Sequence, residues 1–560
     1  MKKYAYTIIL LAITVGCTDL DMNPLASASS ENWYKNSEQV KMSINDLYKN
    51  AFWGNDSPSW TDDWMRREEL TPITSATVNS EWGTAEALWK NSYKAIARAN
   101  TVINKLSSDK LNVDEGTTQR YLGEAKFIRA YQYAKLISHF GNVIYYTNKI
   151  NLDDSYSVVR TNKEEILQKI YEDYDFAILN LPEKYSDSEL SRATKGAALA
   201  FKARIALYSE DWETVKETTK RIMESGNYSL YPDFGELFLI SPIENDEIIY
   251  SIPRSEEFGV YSGVRWYLPR NAGGWAGNNP SWDLFASFLC TDGLPIDESP
   301  LFDPSKPFEN RDPRLSETIV PFGTSWLGYI YTPHPDSMKV LEVNSGEYVT
   351  NNDSRAVNQY SSFNGLVWKK GIDESWGGDY KDDSDIILIR YADVLLMYAE
   401  AKIELGDIDQ SVLDAINKVR ARAYGASLSS KADYPTVKAK DKEKLRKILR
   451  IERRMEFSRE GLRYMDIIRW KLAEKVLNKP NYGLLNIDNL QEKIINPGLW
   501  FFPYTPEIDK DGIADFSKMA DEGLIKKVTD RKFDASKQYL WPIPASEILI
   551  NDAIKQNPGY

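Results

Sequence analysis

Two stretches of this chain repeat the same helix–turn–helix pattern, although they lie far apart in the sequence. The first predicts helices over Ala193–Tyr208 and Trp212–Glu224, and the second over Val394–Leu405 and Ser411–Tyr424. Small residues recur in the leading helix of each pair, at Ala197, Ala200, Ala203, Ala399 and Ala401. Small side chains let helices approach closely, and such pairs bury their faces only by stacking on one another. The pattern therefore predicts a stack of helix pairs.

Helix pairs of this shape are typical of tetratricopeptide-type units, without the strict repeat of about 34 residues. Apolar periodicity predicts further helices at Glu31–Phe52, from Leu88 onward, and at Tyr121–Phe140 and Glu164–Leu181. A last helical block, rich in alternating charge, is predicted from Lys442 to Leu477. Residues 228–385 differ, because they are rich in Gly, Pro, Asn and aromatic residues, with short alternating segments such as Glu247–Ile252. The predicted fold class is mainly α, with tetratricopeptide-type helix pairs carrying an irregular part of loops and short strands.

The N-terminus has the layout of an export signal. Two lysines precede an apolar run, Tyr4–Val15, which is followed by Gly16 and Cys17. The run is about half the ~20 apolar residues that a membrane-spanning helix requires, so it predicts a cleaved secretory signal. The cleavage region resembles a bacterial lipoprotein signal, which implies that Cys17 becomes a lipidated N-terminus. The alternative is an ordinary signal peptide that contains a cysteine.

Composition excludes several classes of function. The net charge of −13 disfavours nucleic acids and anionic lipid surfaces as partners. The chain has two cysteines, Cys17 and Cys290, so no internal disulfide is possible once Cys17 is lipidated, and Cys290 is expected to be a small buried hydrophobe. Two histidines, His139 and His334, argue against a zinc cluster or a histidine-based triad, and we predict neither metal nor cofactor.

Shifts in composition suggest five segments. They are a signal peptide (1–16), a lipidated tether (17–30), an N-terminal helical part (31–227), a loop-rich binding part (228–385) and a C-terminal helical part (386–560). No Gly/Ser-rich linker separates the last three segments, and helix pairs occur at both ends. We therefore expect the three to form one compact unit.

Six motifs are distributed along the chain: Glu124–Tyr133 with Phe140–Val143, Ala193–Ala200 with Ala203–Arg204, Asn310–Leu315, Leu388–Ala401, Glu452–Glu456 with Glu460–Asp466, and Trp541–Glu547 with Gln556–Tyr560. These motifs resemble those of the SusD/RagB family and follow the family's order. Together they span nearly the whole mature chain. Six matches in order are far more specific than any one alone.

The resemblance implies a lipid-anchored protein on the outer surface of a Gram-negative outer membrane. It implies a SusD-like α–α superhelical scaffold and a partner, a SusC-like TonB-dependent transporter that such proteins cover as a lid. Asp19 and Asp21 after Cys17 fit the family's surface-export signal. Most members bind glycans and some bind peptides, and the family is not catalytic. Glycan capture is therefore the predicted function, with peptide capture, a surface glycoside hydrolase or a protein-binding assembly scaffold as alternatives.

Many of the motif residues are expected to build the scaffold rather than to touch ligand. Buried ion pairs between stacked helices are costly to break singly, so charged residues can be constrained without a direct role in binding. We expect such networks from Arg390, Tyr391, Asp393, Glu400, Arg453, Arg454, Glu456 and Arg463. Catalytic carboxylates of a glycosidase must face each other at ~5–10 Å, which sequence spacing cannot establish.

Candidate ligand contacts are tryptophans in polar, Gly-rich loops. A sugar presents an apolar face that an aromatic ring can cover and hydroxyl groups that polar side chains bind. These criteria select Trp275, Trp82, Trp326, Trp376, Trp266 and Tyr267, with Asn79, Glu81, Asn278 and Arg67 as polar partners. Tryptophans with apolar or helical neighbours are expected in the core, namely Trp53, Trp89, Trp212, Trp368, Trp470 and Trp541.

Overall fold

The structure is a computed structural model that describes residues 33–560, except 35, 108–112, 187–188, 190 and 240–244. The expected signal, the tether and Cys17 lie outside the described residues. Within the described part of the chain, no helix is both long enough and apolar enough to cross a membrane.

The long helices lie within residues 37–225 and 391–456, and short helices occur in the rest of the described chain. In chain order they are α1 (Ser37–Leu47), α2 (Gly83–Leu106), α3 (Glu115–Phe140), α4 (Leu152–Ser155), α5 (Lys163–Asn180), α6 (Lys195–Tyr208), α7 (Trp212–Ser225), α8 (Trp282–Ser287), α9 (Arg314–Thr318), α10 (Tyr391–Leu405), α11 (Gln410–Ala423), α12 (Lys442–Glu456), α13 (Arg463–Arg469), α14 (Ala473–Val476), α15 (Ile487–Leu490), α16 (Ser517–Asp521) and α17 (Ala545–Ile550).

The strands are short and antiparallel. They are β1 (Trp64–Arg66), β2 (Ile248–Ile252), β3 (Ser262–Gly263), β4 (Asn278–Pro280), β5 (Ser325–Trp326), β6 (Tyr329–Ile330), β7 (Lys339–Glu342), β8 (Glu347–Thr350), β9 (Lys381–Asp382), β10 (Ile386–Arg390), β11 (Pro480–Gly483), β12 (Glu507–Ile508), β13 (Ala514–Asp515) and β14 (Lys526–Asp530). Strands β5 to β8 form one four-stranded sheet, and the others pair as β1–β4, β2–β10, β3–β9, β11–β14 and β12–β13.

The two predicted helix pairs stack directly on each other. Helix α6 packs on α7, α10 packs on α11, and α7 of the first pair packs against α10 of the second. Thr194 accepts a hydrogen bond from the backbone N–H of Ala197 at 3.1 Å and begins α6, while Gly406 in a left-handed conformation ends α10. The alanines of α6 and α10 named above are fully buried, which permits the close approach. The mainly-α fold with tetratricopeptide-type helix pairs is confirmed.

The helical block predicted over Lys442–Leu477 is confirmed, and it consists of three helices, α12 to α14. Arg459 and Gly461, with positive φ angles of 65° and 78°, lie in the turn between α12 and α13. A Cβ on Gly461 would lie 2.5 Å from the backbone oxygen of Asp56, so only glycine fits this close approach.

Two hydrophobic cores divide the described residues. The larger core joins α1 to α3 and α5 to α7 with α10 to α14, and the smaller one lies beneath the irregular part, around Trp282, Phe285 and Phe501. Residues of 480–530 pack into the smaller core, although the sequence places them in the C-terminal helical part. All six tryptophans expected in the core are confirmed there, with Trp212 and Trp470 half-buried at its edge. Cys290 is fully buried, as predicted.

A buried network of ion pairs connects the helices to the irregular part. Glu456, at the end of α12, accepts hydrogen bonds from Arg314 at 2.9 Å, from Arg390 at 2.6 Å and from Arg422. These three arginines come from α9, the end of β10 and α11, so one carboxylate joins three separate elements. Glu456 itself is fully buried.

The other residues expected in these networks form further clusters. Arg453 pairs with Asp393 at 2.9 Å and with Asp466 at 3.0 Å, and Glu400 accepts from Arg469 at 2.5 Å. The scaffold role is therefore confirmed for the charged residues that the motifs suggested. Tyr391 is the exception. Its ring stacks on Tyr228, at a centroid separation of 6.5 Å.

We expect Glu456→Gln to lower the free energy of unfolding by about 3–5 kcal/mol, because three buried guanidinium groups lose the charge that compensates them. Urea denaturation at pH 7 measures this change. Glu443→Gln is the matched control on the same helix, since Glu443 pairs with Arg446 but is 78% exposed. This control should change stability by about 1 kcal/mol or less. Equal effects of the two variants would contradict the role assigned to the network.

The same carboxylate should make stability depend on pH. Burial by itself raises the pKa of Glu456, but Arg422, Arg390 and Arg314 outweigh burial and hold its pKa well below the ordinary value of 4.5. The folded state then binds fewer protons than the unfolded chain, so the free energy of unfolding falls as the pH drops below 4.5. We expect a smaller fall in Glu456→Gln than in the wild type, measured by urea denaturation at pH 7 and at pH 4. An identical fall in both proteins would refute this.

Candidate functional site

A two-stranded ribbon forms the floor of the candidate site. Strand β1 pairs with β4, and Arg66 lies opposite Asn278 in this register. Buried charges hold the ribbon where β1 begins, because Arg454 donates to both Asp62 and Asp63 at 2.8 Å. The long tryptophan-rich loop that carries β1 is thereby fixed to the end of helix α12.

A second arginine strengthens this anchor. Arg463 of α13 donates to Asp62 at 3.0 Å. Burial alone would raise the pKa of Asp62, but Arg454 and Arg463 lower it below its ordinary value, so this carboxylate stays ionised. An ionised Asp62 keeps the start of β1 in place beneath the site.

The loop 265–278, which leads into β4, is held by its own backbone. The N–H of Trp275 donates to the carbonyl of Arg265 at 2.7 Å, and the N–H groups of Gly277 and Asn278 donate to the carbonyl of Trp266 at 2.9 Å. A Cβ on Gly277 would lie 2.4 Å from the Trp266 ring, so glycine is required where this ring packs on the backbone. The loop is therefore a fixed platform for its two tryptophans.

Trp266 and Trp275 form an exposed aromatic pair on this platform. Their ring centroids lie 4.8 Å apart at an interplanar angle of 82°, an edge-to-face arrangement. Trp275 is 36% exposed and Trp266 is half-buried. We call these two residues the ring pair.

Arginines and tyrosines surround the ring pair. Arg66 lies 4.4 Å from the centre of the Trp266 ring, and Arg67 donates a hydrogen bond to the carbonyl of Trp275 at 2.7 Å.

Two tyrosines complete the surroundings of the ring pair. Arg265 lies 5.3 Å from the centre of the Trp275 ring and 4.7 Å from that of Tyr380. Arg67 also lies 5.4 Å from the Tyr360 ring. Cation–π contacts of this kind hold both partners in place.

Backbone strain collects at the same place. Arg67, Ala276 and Tyr380 have φ angles of 41°, 44° and 63°, in the left-handed region that residues with a Cβ rarely adopt. Such residues persist only where the surrounding structure imposes the conformation, and they cluster at functional sites. Three of them around one ring pair mark this surface as a built site.

A polar cavity of about 330 Å³ lies beside the ribbon. Arg66, Tyr267 and Asn278 line it, together with Asn481 and Thr71. The side-chain oxygen of Asn278 is buried and has no hydrogen-bond partner within the protein. The cavity and the ring pair share the ribbon and together offer apolar faces and polar groups.

Trp82 lies in a different cluster. It is half-buried, and its ring packs against Trp541 at 4.6 Å and Trp60 at 5.9 Å between centroids. The side chain of Asn79 accepts from the backbone N–H of Glu81 at 2.9 Å and shapes the turn into α2. Asn79 and Glu81 are exposed, but among the described residues no ring contact or hydrogen bond connects this cluster to the ring pair.

Two of the sequence candidates are buried. Trp326 is 5% exposed and Trp376 is 7% exposed, and both belong to the smaller core. Neither ring has a free face for a ligand, so the expectation that they contact one is corrected. Their polar, Gly-rich neighbours in sequence gave no indication that both rings join the smaller core, whose other members include the distant Leu366 and Phe501.

Sequence reasoning missed several residues that the fold brings to the ring pair. Arg66, Arg265, Tyr360 and Tyr380 lie around it, although only Arg67 was selected among the cations. A usable signal existed for two of them, because Arg265 directly precedes Trp266 and Arg66 directly precedes Arg67. Nothing in the local sequence marks Tyr360 or Tyr380.

The described residues contain no cluster of side chains suited to binding a metal ion, and the two histidines lie apart from the candidate site. No group of three or more His, Cys, Asp or Glu side chains within that part of the chain could hold a metal ion. His139 is buried beside Asp56, with its Nε2 3.1 Å from the carboxylate, and His334 packs against the ring of Trp500. Each histidine therefore contacts a neighbouring side chain of the protein itself.

Three larger cavities lie elsewhere in the described residues. One of about 790 Å³ contains Tyr93 and Tyr146, but Tyr93 donates to the carbonyl of Ile144 at 2.8 Å and Asn100 donates to that of Tyr146 at 2.9 Å. The others, of about 670 and 460 Å³, are lined by residues that include Arg192 and Tyr228, respectively. We favour the ring pair over these cavities, because it combines an exposed ring with strained backbone and surrounding arginines.

Comparison with known proteins agrees with this architecture. Residues 244–560 match the model of the SusD family, and residues 19–207 match a second model, described as starch-binding associating with outer membrane. SusD-like protein P2 of Formosa agariphila is 25% identical to this chain over 600 residues. The alignment covers the full length of both proteins.

Solved structures show the same fold. A SusD-like carbohydrate-binding protein from Bacteroides fragilis superposes with a TM-score of 0.74 at 27% identity, covering 93% of this chain and 99% of that one. Surface glycan-binding protein A from Bacteroides fluxus gives a TM-score of 0.61 at 20% identity, covering 94% of this chain and all of that one. The chain belongs to the SusD family.

Proposed function

We propose that this protein is a cell-surface lipoprotein that captures an oligo- or polysaccharide and delivers it to a SusC-like TonB-dependent outer-membrane transporter. The observation that carries glycan capture is the ring pair, two tryptophans held edge to face on a strained platform with one ring 36% exposed. The carbohydrate-binding relative from Bacteroides fragilis supports the ligand class, and the second family model supports association with the outer membrane.

The geometry suits a sugar better than a flat aromatic ligand. One ring can cover the apolar face of a pyranose while the second, at 82°, borders its edge. Asn278 and Arg66 line the polar cavity beside the ribbon, next to the ring pair. A fixed platform also limits the conformational entropy lost on binding.

The carboxylates near the ring pair favour binding over hydrolysis. Glu69 pairs with Arg66 at 3.1 Å, and Glu68 pairs with Lys526 at 3.1 Å. Asp353 is buried and accepts from the backbone N–H of Arg270 at 2.6 Å. Glu68 and Glu69 form exposed ion pairs with cations and Asp353 holds the loop backbone, whereas a glycosidase needs two carboxyl groups that face the scissile bond.

We expect Trp266→Ala with Trp275→Ala to weaken retention by the cognate polysaccharide at least about tenfold, because each ring contributes about 1–3 kcal/mol of contact. Affinity electrophoresis against a panel of polysaccharides measures retention. Tyr156→Ala, which removes a 50% exposed ring, is the control and should bind normally. Melting temperatures within a few degrees of the wild type show that the loss is local.

Other outcomes would redirect the proposal. Unchanged retention in the double variant would place the glycan elsewhere, with the cavity beside Tyr93 as the next site to test. New reducing ends in the incubated polysaccharide would indicate a hydrolase. Retention of peptides but of no polysaccharide would favour the peptide-binding alternative.

The proposed anchor predicts a separate result in cells. We expect Cys17→Ser to abolish labelling with a fatty acid and to release the protein from the outer-membrane fraction, because stable anchoring requires about two acyl chains. Immunoblots of membrane and soluble fractions measure this. Cys290→Ser is the control, since Cys290 is buried and should leave the labelling unchanged. Normal labelling of Cys17→Ser would refute lipidation at this residue.

A further inference from the structure

Four arginines converge on the ring pair, and we call them the arginine set: Arg66, Arg67, Arg265 and Arg270. The contacts of the first three to the rings are given above. Arg270 lies in the same loop, and its guanidinium donates to the carbonyl of Gly274 at 3.4 Å. Arg66 and Arg265 are exposed, while Arg67 and Arg270 are half-buried. Two cations are thus at the surface and two lie behind them.

The arginine set lacks the carboxylate partners that the scaffold arginines have. Arg390, Arg453 and Arg454 each bind two or more buried carboxylates. Among the described residues, Arg66 alone of the set forms an ion pair, with Glu69, and both side chains are largely exposed at 44% and 61%. An exposed pair of this kind holds its partner weakly.

Nearby acids do not neutralise the set. Glu68 pairs with Lys526, and Asp353 binds the backbone of the loop. The Nε of Arg67 is buried without a hydrogen-bond partner. Burial and then the charge of Arg270 lower the pKa of Arg67, which reports repulsion between the cations. Positive charge is therefore concentrated here on a protein whose net charge is −13.

We propose that the glycan bound at the ring pair is anionic and carries carboxylate or sulfate groups, with Arg66 and Arg265 as their ligands. This rests on the proposed function and narrows it. A guanidinium group presents a planar fork of N–H donors that matches both anions. The rings would cover the sugar faces while the forks bind the acidic substituents. The acidic remainder of the surface would repel polyanions that do not fit the site.

The test uses polymers that differ in charge. Affinity electrophoresis is run with polygalacturonate, alginate, chondroitin sulfate and dextran sulfate, and with the neutral polymers starch, xylan, mannan and dextran. We expect retention by at least one anionic polymer and weaker retention at high salt, because salt screens exposed charges. The carboxylated and the sulfated polymers distinguish the two possible anions.

Substitutions of Arg66 and Arg265 test whether these two residues bind the anionic polymer. Arg66→Gln with Arg265→Gln should weaken retention by the anionic polymer at least about tenfold, since charge-assisted hydrogen bonds are lost. Arg221→Gln removes the same charge from an exposed position on helix α7 and should leave retention unchanged. Arg265→Lys keeps the charge without the fork and should give an intermediate loss.

The possible failures are distinguishable. Retention by neutral polymers alone, unchanged in the arginine variants, would overturn the anionic ligand and leave glycan capture standing. Retention by anionic polymers that is unchanged in Arg66→Gln with Arg265→Gln would overturn the assignment to these arginines. No retention by any of the eight polymers, or by a broader set of glycans, would overturn the proposed function and this inference with it.

Discussion

Buried pairing between carboxylates and guanidinium groups is the interaction on which the architecture depends. Glu456 brings together Arg314, Arg390 and Arg422, which belong to elements far apart in the chain. Hydrophobic packing alone forms two separate cores here. The ion pairs cross the boundary between them, so they fix the irregular part in one orientation on the helical stack. Because charge-assisted hydrogen bonds are directional, they fix the relative orientation of these elements more specifically than apolar packing does.

The same interaction sets the position of the candidate ligand surface. Arg454 and Arg463 hold Asp62 and Asp63, and β1 begins at the next residue. Strand β1 pairs with β4, which ends the loop that carries Trp266 and Trp275. The candidate site therefore inherits its rigidity from charges buried in the scaffold. This explains why so many of the family's motif residues lie away from any surface a glycan could reach.

Arginine thus has two roles in one molecule, decided by its surroundings. In the scaffold, guanidinium groups are buried and matched by carboxylates. Around the ring pair, they contact aromatic faces and backbone carbonyls instead, and among the described residues only Arg66 of the arginine set has a carboxylate partner, the exposed Glu69. The residue type is the same, so composition and local sequence do not separate the roles. Only the partners that the fold supplies distinguish an arginine that holds structure from one free to hold ligand.

The sequence by itself determined the helix pairs, the core tryptophans and the family, because these follow from local periodicity and ordered motifs. It also selected Trp275, Trp266, Asn278 and Arg67, which the fold brings together. Tertiary structure alone decided that Trp326 and Trp376 are buried and that Trp82 packs with Trp541 instead. The exposure of a loop ring depends on what covers it, and the covering residues come from distant parts of the chain. No local pattern encodes that contact.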